Sequence, residues 1–288
     1  MFTLDRRQFL AASAGLVAGA GALSAHEGIH SIFQGVQIGA QSYSFRDRPI
    51  EEAVAAMKQI GLGECEMWSG HMERMPGKRP SREELRDWRL NVDLGKFEQV
   101  HELFHEAGVD LYAFNYSFRD DFTDPEIERG FEMAKALGAK VITASANVSV
   151  AKRVDKAAQK HKMRVGMHNH SHIRDNEFAT PDDFDRAMKG TRYIAINLDI
   201  GHFFGAGFDP VDFLKKRHSD IVTLHIKDKT KEDVNMPFGQ GQTPIAECLH
   251  VLRDNKYRIP ANIEYEYKGG DTVVEVGKCF DYLKGALT

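Results

Sequence analysis

Short apolar runs alternate with longer amphipathic segments along most of this sequence. Apolar runs of strand length, bounded by glycine or polar residues, are typical of the buried strands of a parallel sheet. Eight such strands are predicted, at Gln37–Phe45, Glu64–Trp68, Val109–Tyr116, Lys140–Ala146, Val165–His168, Tyr193–Asp199, Ile221–Asp228 and Ala261–Tyr267.

Amphipathic segments with apolar residues at helical spacing lie between these runs. Helices are predicted at Ile50–Ile60, Phe97–Ala107, Asp124–Leu137, Val150–His161, Thr180–Met188, Asp209–Arg217, Thr243–Leu252 and Asp271–Leu287. Several of them start with Asp-Pro or Thr-Pro, a pair suited to the first turn of a helix. Residues 69–89 are predicted to form a long basic loop that contains a short helix beginning at Ser81.

The order of these elements predicts the fold. Eight strands, each followed by a helix, favour an α/β protein with a single (β/α)₈ TIM barrel over residues 26–288. The alternative is a doubly wound open sheet, but the phosphate-binding pattern Gly-x-Gly-x-x-Gly does not follow the first strand. In TIM barrels the carboxyl ends of the strands form the functional site.

The first 25 residues differ from the rest. Arg6 and Arg7 precede an uncharged Ala- and Gly-rich stretch that ends at Ala25, which predicts a twin-arginine export signal and a periplasmic or otherwise exported protein. The stretch is too short for a membrane span, which needs roughly 20 apolar residues. The alternative is an ordinary amphipathic helix.

Charge and cysteine content narrow the range of partners. The 288-residue chain has a net charge of −4 and a pI near 6.4, so no basic surface is predicted for nucleic acid or anionic lipid. Its three cysteines are an odd number without metal-like spacing, and a disulfide framework is not expected.

Four of the predicted strands end in side chains that can bind a metal. These side chains are His168, Asp199, His225 and Glu264. Any one of them alone has an ordinary explanation, such as a helix cap or a hydrogen-bonded core residue. Their recurrence on neighbouring strands instead predicts a shared site for Mn²⁺, Co²⁺, Zn²⁺ or Mg²⁺.

The motifs around these residues resemble those of one superfamily. Leu198–His202, His225–Asp228, Ile263–Glu266 and the Gly239–Gly241 loop are similar to motifs of the sugar phosphate isomerase/epimerase superfamily, the xylose isomerase-like barrels. The resemblance implies metal ligands on strands five to eight, of which Asp199, His225 and Glu264 match the last three. On strand five the family has a glutamate where this chain has His168.

The resemblance also implies a reaction, the removal of a proton next to a carbonyl group through an enediolate. Glu264 is the first candidate for the base, and His168, Lys227 and Glu66 are candidates for the second acid/base group. His202 is expected to contact substrate, and His170 or His172 can replace the missing glutamate. Glu66 is either a sugar contact or a group that supports the site from behind.

The expected substrate is a sugar. Aromatic side chains suited to its C–H faces occur at or just after strand ends, at Tyr43, Phe45, Trp68, Tyr116, Phe203 and Phe204. Of these, Trp68 and Phe45 are the predicted substrate contacts, together with His202, His170 and Glu66. The sequence has no recognisable phosphate cradle, which favours an unphosphorylated keto-sugar or oxidised glycoside.

Three alternative functions stay open. A β-elimination lyase acting on a 3-keto-glycoside would share the first chemical step. A non-catalytic sugar-binding barrel would explain the replacement at His168. Phosphodiester cleavage needs further histidines after strands two and three, and the third strand ends in Asn115-Tyr116. The resemblance also suggests a homo-oligomer.

Overall fold

The computed structural model describes residues 28–73 and 80–288. Eight parallel strands form a closed barrel in which the first strand is paired with both the second and the last. They are β1 Val36–Gln41, β2 Glu64–Trp68, β3 Asp110–Asn115, β4 Val141–Ala144, β5 Val165–His168, β6 Ile194–Asp199, β7 Ile221–Ile226 and β8 Ala261–Ile263. This closure confirms the (β/α)₈ TIM barrel.

Ten α-helices are found among the described residues, and most of them cover the outside of the barrel. They are α1 Ile50–Ile60, α2 Arg82–Asn91, α3 Gly95–Ala107, α4 Asp124–Ala136, α5 Ala151–His161, α6 Pro181–Met188, α7 Ile200–Gly205, α8 Pro210–Arg217, α9 Ile245–Asn255 and α10 Thr272–Leu287. The predicted export signal lies outside the described residues and stays a prediction.

The starts of α4 and α6 have the predicted proline in the first turn and are capped by threonine. Thr123 caps α4 and Thr180 caps α6, and in both cases the side chain accepts a hydrogen bond from the third residue of the helix. Proline stands in the first turn of both helices, where the missing N–H costs no internal hydrogen bond. These local signals place the helices directly after the strand ends that carry the candidate site.

Several strands are shorter than predicted, and β1 and β8 are shortened most at their carboxyl ends. β1 ends at Gln41 and continues as a 3₁₀ turn over Ser42–Phe45. β8 ends at Ile263, so Glu264 lies just beyond the sheet. In a barrel this position puts a side chain at the carboxyl-end opening.

Helix α7 was not predicted. It begins immediately after β6, where the Asp199 carboxylate accepts a hydrogen bond of 2.6 Å from the backbone N–H of His202. The chain also forms a short antiparallel ribbon between Asp228–Lys229 and Asn235–Met236. Both elements fold over the carboxyl end of the barrel and bring side chains to the site.

The barrel interior and the layer between strands and helices form the hydrophobic core. The three cysteines are buried as free thiols. Among residues 28–73 and 80–288, no helix is both long and apolar enough to cross a bilayer.

Candidate metal centre

Four side chains from consecutive strands converge at the carboxyl end of the barrel. His168 ends β5, Asp199 ends β6, His225 lies near the end of β7, and Glu264 follows β8. One potential ligand atom of each residue lies within 4.8 Å of the others, and all four side chains are buried. The strand register contributes directly, because Asp199 and His225 are paired neighbours in the sheet.

His225 is held between two carboxylates. Its Nδ1 lies 3.0 Å from Oε2 of Glu264, and its Nε2 lies 3.0 Å from Oε2 of Glu66. Burial opposes a charged imidazole, but the carboxylates of Glu66 and Glu264 raise the pKa of His225 well above its usual value. The two contacts fix the orientation of the ring.

Glu66 lies beneath the centre and not in its opening. Its side chain is fully buried, and Oε1 accepts a hydrogen bond of 2.7 Å from the Thr143 hydroxyl. A carboxylate that orients a histidine ligand from behind is a common support of metal sites. This placement favours the supporting role over direct contact with a sugar hydroxyl.

Lys227 joins the acidic groups of the centre. Its Nζ lies 3.1 Å from Oδ2 of Asp199, 3.1 Å from Oε2 of Glu264 and 2.7 Å from Oε2 of Glu266. Burial lowers the pKa of Lys227, but these carboxylates outweigh it and raise the pKa above its usual value. Lys227 is therefore an ammonium, which can donate hydrogen bonds but cannot accept a proton.

The two acidic candidate ligands differ in their protonation. Burial raises the pKa of Asp199 to about 6 against the opposing charge of Lys227. Burial also disfavours the charged form of Glu264, but Lys227 and His225 outweigh it and hold the pKa of Glu264 well below its usual value. Glu264 is thus the more firmly ionised of the two.

His168 has a buried ring nitrogen without a partner. The ring is almost fully buried, and its Nδ1 has no hydrogen-bond partner. Burial first, and then the neighbouring His225 and His170, lower the pKa of His168 well below its usual value. Neutral imidazole is the form that binds metals.

The donor set therefore fits a divalent cation. Two histidines and two carboxylates on rigid strand ends are ligands typical of Zn²⁺, Mn²⁺ and Co²⁺ sites. Binding through His225 requires the loss of the proton that its two carboxylate neighbours favour. Oδ2 of Asp199 is also buried and makes no hydrogen bond. Like Nδ1 of His168, it is therefore available to bind a cation. A cation at this place would satisfy both atoms.

The predicted substrate contacts lie at different depths. His202 stands on α7, with its Nε2 2.8 Å from Nζ of Lys227. His170 is half-buried at the rim, with its ring centroid 4.9 Å from that of His168. Burial first, and then Lys227, lower the pKa values of both His202 and His170.

The aromatic candidates lie at different depths. Phe45, Tyr116 and Phe203 are completely or almost completely buried among core residues, so their packing in the core explains them without a sugar. Trp68 and Tyr43 are half-buried and pack edge to face, with ring centroids 5.0 Å apart. Of the two predicted aromatic substrate contacts, Trp68 is therefore a better candidate than Phe45.

Sequence reasoning missed Glu266. This carboxylate is a quarter exposed and contacts both Lys227 and His202. The spacing of Glu264 and Glu266 could have indicated it, because residues two apart on an extended segment point to the same side. Ser171, Lys229 and Asp233 were also missed, and these three lie behind His202.

The comparisons with known proteins agree with this architecture. A family model described as "Xylose isomerase-like TIM barrel" matches residues 33–283. An L-ribulose-5-phosphate 3-epimerase, UlaE, of Escherichia coli is 33% identical over 92 residues, which are 31% of this chain and 32% of that protein. The chain thus matches only about a third of the length of that curated relative.

Two solved structures illustrate the fold. The 3-keto-D-glucoside 4-epimerase YcjR from E. coli is 16% identical, with a TM-score of 0.67 over 87% of this chain and 99% of that chain. The probable 3-DHS dehydratase AsbF from Bacillus anthracis is 15% identical, with a TM-score of 0.65 over 85% of this chain and 98% of that chain. At such identities the likeness shows the fold alone.

Proposed function

The chain belongs to the xylose isomerase-like TIM barrel family, and from this premise we propose that it is a divalent-metal-dependent sugar isomerase or epimerase. The proposed reaction is removal of a proton from a carbon next to a carbonyl group, followed by its return. The observation that carries the proposal is the buried group of His168, Asp199, His225 and Glu264.

These four residues would hold the cation. A bound divalent ion polarises a carbonyl oxygen and stabilises the negative charge that develops on it. The ammonium of Lys227 would hold the carboxylates of Asp199, Glu264 and Glu266 in place beside the cation. Lys227 therefore positions these groups in this proposal and is not the base.

Glu264 is the proposed base. Its carboxylate is held in the ionised form by Lys227 and His225, and it lies just past the end of its strand, at the opening of the barrel. Of the candidates for the second proton transfer, Lys227 stays charged and Glu66 is closed off from the opening. His168 is the remaining candidate, and as a ligand of the cation it would transfer the proton at the ring nitrogen that the cation leaves free.

We propose an unphosphorylated substrate, a keto-sugar or an oxidised glycoside. A phosphate dianion needs positive charge that is not already neutralised. Of the two lysines at the centre, Lys227 is paired with three carboxylates and the buried Lys229 is paired with Asp233 at 2.5 Å. The proposal therefore rests on these two lysines, and Arg119, whose charge acts on His170, is the cation that would favour the rival. The name of the UlaE relative makes a phosphorylated ketose the rival substrate.

Proton NMR in deuterated water tests the proposal. We expect the chain loaded with Mg²⁺ to exchange the C–H next to the carbonyl of a 3-keto-glucoside or a free ketose for deuterium, with inversion or isomerisation, and EDTA to stop this exchange. Exchange of L-ribulose 5-phosphate alone would reassign the substrate, and release of the glycosidic group would indicate β-elimination. Deuterium uptake by no member of the panel, with Mn²⁺ or Co²⁺ as well, would contradict the proposal.

A further inference from the structure

Arg119 is a half-buried arginine in the loop that follows β3. Its guanidinium forms no hydrogen bond or ion pair with any side chain or carbonyl group of residues 28–73 and 80–288. Arginines that are withdrawn from solvent are usually paired, because the guanidinium has five N–H donors to satisfy. An arginine without such a partner is available to an anion from outside the chain.

The acidic neighbour of Arg119 along the chain has other partners. The carboxylate of Asp120 accepts a hydrogen bond from the Ser149 hydroxyl and another, of 2.7 Å, from Nδ2 of Asn176. The backbone N–H of Asp120 donates to Oδ1 of Asn147 at 3.2 Å. Asp120 therefore ties together the loops after β3, β4 and β5, and its carboxylate does not pair with Arg119.

The same loops continue to the rim of the metal centre. Asn147 and Glu177 form an isolated β-bridge, and the carbonyl group of the next residue, Phe178, accepts a hydrogen bond of 2.8 Å from the backbone N–H of His170. The ring of His170 lies beside that of the candidate ligand His168, with centroids 4.9 Å apart. Hydrogen bonds thus connect the loop that carries Arg119 to the edge of the centre.

The charge of Arg119 reaches this edge. Burial first, and then Lys227, lower the pKa of His170, and the positive charge of Arg119 lowers it further. Charge effects fall off with distance, so the guanidinium lies on the His170 side of the opening. Glu177 also acts on His170, but its ion-pair partner is Arg174, at 3.9 Å.

The surroundings of Arg119 favour an anion with a single charge. The partners of the Asp120 carboxylate, Ser149 and Asn176, carry no positive charge. A phosphate with a charge of about −1.5 to −2 would therefore meet one cation with a carboxylate next to it in the chain. A carboxylate ligand carries one charge, and its two oxygens match the fork of a guanidinium.

We infer that Arg119 binds a carboxylate group of the substrate, at the end of the molecule away from the reacting carbonyl. This inference rests on the proposed function and narrows its substrate to sugar acids, such as a ketose with a terminal carboxylate. Arg119 determines specificity and takes no part in the proton transfer.

Ketoses that differ only at C6 test the inference. D-Fructose has a hydroxymethyl group there, D-fructuronate a carboxylate and D-fructose 6-phosphate a phosphate, and D-tagatose with D-tagaturonate repeats the first comparison in another configuration. Calorimetry with the full chain and Mg²⁺ gives the dissociation constants. We expect at least one acid to bind on the order of tenfold more tightly than its neutral ketose, the effect of one hydrogen bond between charged groups. Arg119→Met should lose this preference.

Arg258→Met is the matched control, since Arg258 is an exposed arginine that precedes β8, at the amino end of the barrel. It is expected to keep the wild-type preference, and Arg119→Lys should keep part of it, because the charge remains and the planar fork is lost. A wild type that binds neither acid more tightly than its neutral ketose would overturn the inference. So would an Arg119→Met chain that keeps the preference, or one that loses more affinity for D-fructose 6-phosphate than for D-fructuronate.

Deuterium uptake separates this inference from the proposed function. For an acid that the wild type exchanges, Arg119→Met should raise KM on the order of tenfold with little change in kcat, because the contact is the same in the ground state and the transition state. If the wild type exchanges no sugar but binds an acid through Arg119, the proposed function fails and the carboxylate site stands. If it exchanges neutral ketoses and Arg119 gives the acids no advantage, the inference fails alone.

Discussion

Replacing Glu264 by glutamine is expected to lower the rate of C–H exchange by about 10³-fold or more, because a positioned base alone contributes roughly 10²- to 10⁴-fold. Glutamine has nearly the same shape, but its carboxamide cannot accept the proton and carries no charge for a cation. The change also removes the carboxylate that lies 3.0 Å from His225 and 3.1 Å from Lys227. The rate is measured by deuterium uptake at saturating sugar, and the bound metal by elemental analysis.

Glu247→Gln is the control for this change, since Glu247 is exposed on α9 and is not one of the four candidate ligands. It is expected to keep the wild-type exchange rate and metal content. If Glu264→Gln kept more than a tenth of the wild-type rate, Glu264 would not be the base.

Replacing Lys227 by methionine is expected to lower the free energy of unfolding in EDTA by about 3–5 kcal/mol, the usual effect of removing one partner of a buried ion pair. The side chain is almost fully buried, and its loss leaves the buried Asp199 carboxylate without its cation and Glu264 with His225 alone. Mn²⁺ should recover much of this loss, because it would neutralise the same carboxylates. The removal of a nearby like charge should also tighten Mn²⁺ binding.

Urea unfolding with and without Mn²⁺ measures both effects. Lys229→Met is the matched control, because Lys229 is equally buried but its partner Asp233 is a quarter exposed. The control should lose less stability and respond to Mn²⁺ as the wild type does. A Lys227→Met variant that gained no more from Mn²⁺ than the wild type would show that the cation and Lys227 do not share these carboxylates.

The fold could be predicted from the sequence because its signals are local. Pro-containing starts such as those of α4 and α6 are capped by the preceding threonine, and each apolar run became a strand. Helix α7 was missed because Ile200–Gly205 is only six residues long and contains two glycines, so the helical spacing of Ile200, Phe203 and Phe204 is too short to identify a helix. Its start depends on the Asp199 cap, and the same aspartate was assigned to metal binding.

The candidate site could be predicted only in part. The recurrence of His168, Asp199, His225 and Glu264 at strand ends was sufficient to bring them together, since parallel strands of a barrel end at one face. The aromatic contacts were less predictable, because strands buried on both faces lose the alternation that tells inside from outside. Phe45 was therefore predicted to contact a sugar, whereas in the structure it is packed among core residues.

The contacts of Lys227 could not be derived from the sequence. Its partners come from β6, from the segment after β8 and from α7, and no spacing along the chain encodes their meeting. The pairing changes the chemistry of the residue, because a lysine among three carboxylates stays charged and cannot serve as a base.

The central claim is that His168, Asp199, His225 and Glu264 bind one divalent cation, and the number of ions bound per chain tests it most directly. Elemental analysis after loading with Mn²⁺, Co²⁺, Zn²⁺ or Mg²⁺ and gel filtration compares the wild type with Asp199→Asn and with the exposed control His218→Gln. We predict one ion per chain in the wild type and in His218→Gln, and none in Asp199→Asn. A folded wild-type chain that keeps no ion, or an Asp199→Asn variant that keeps a full one, would contradict the claim.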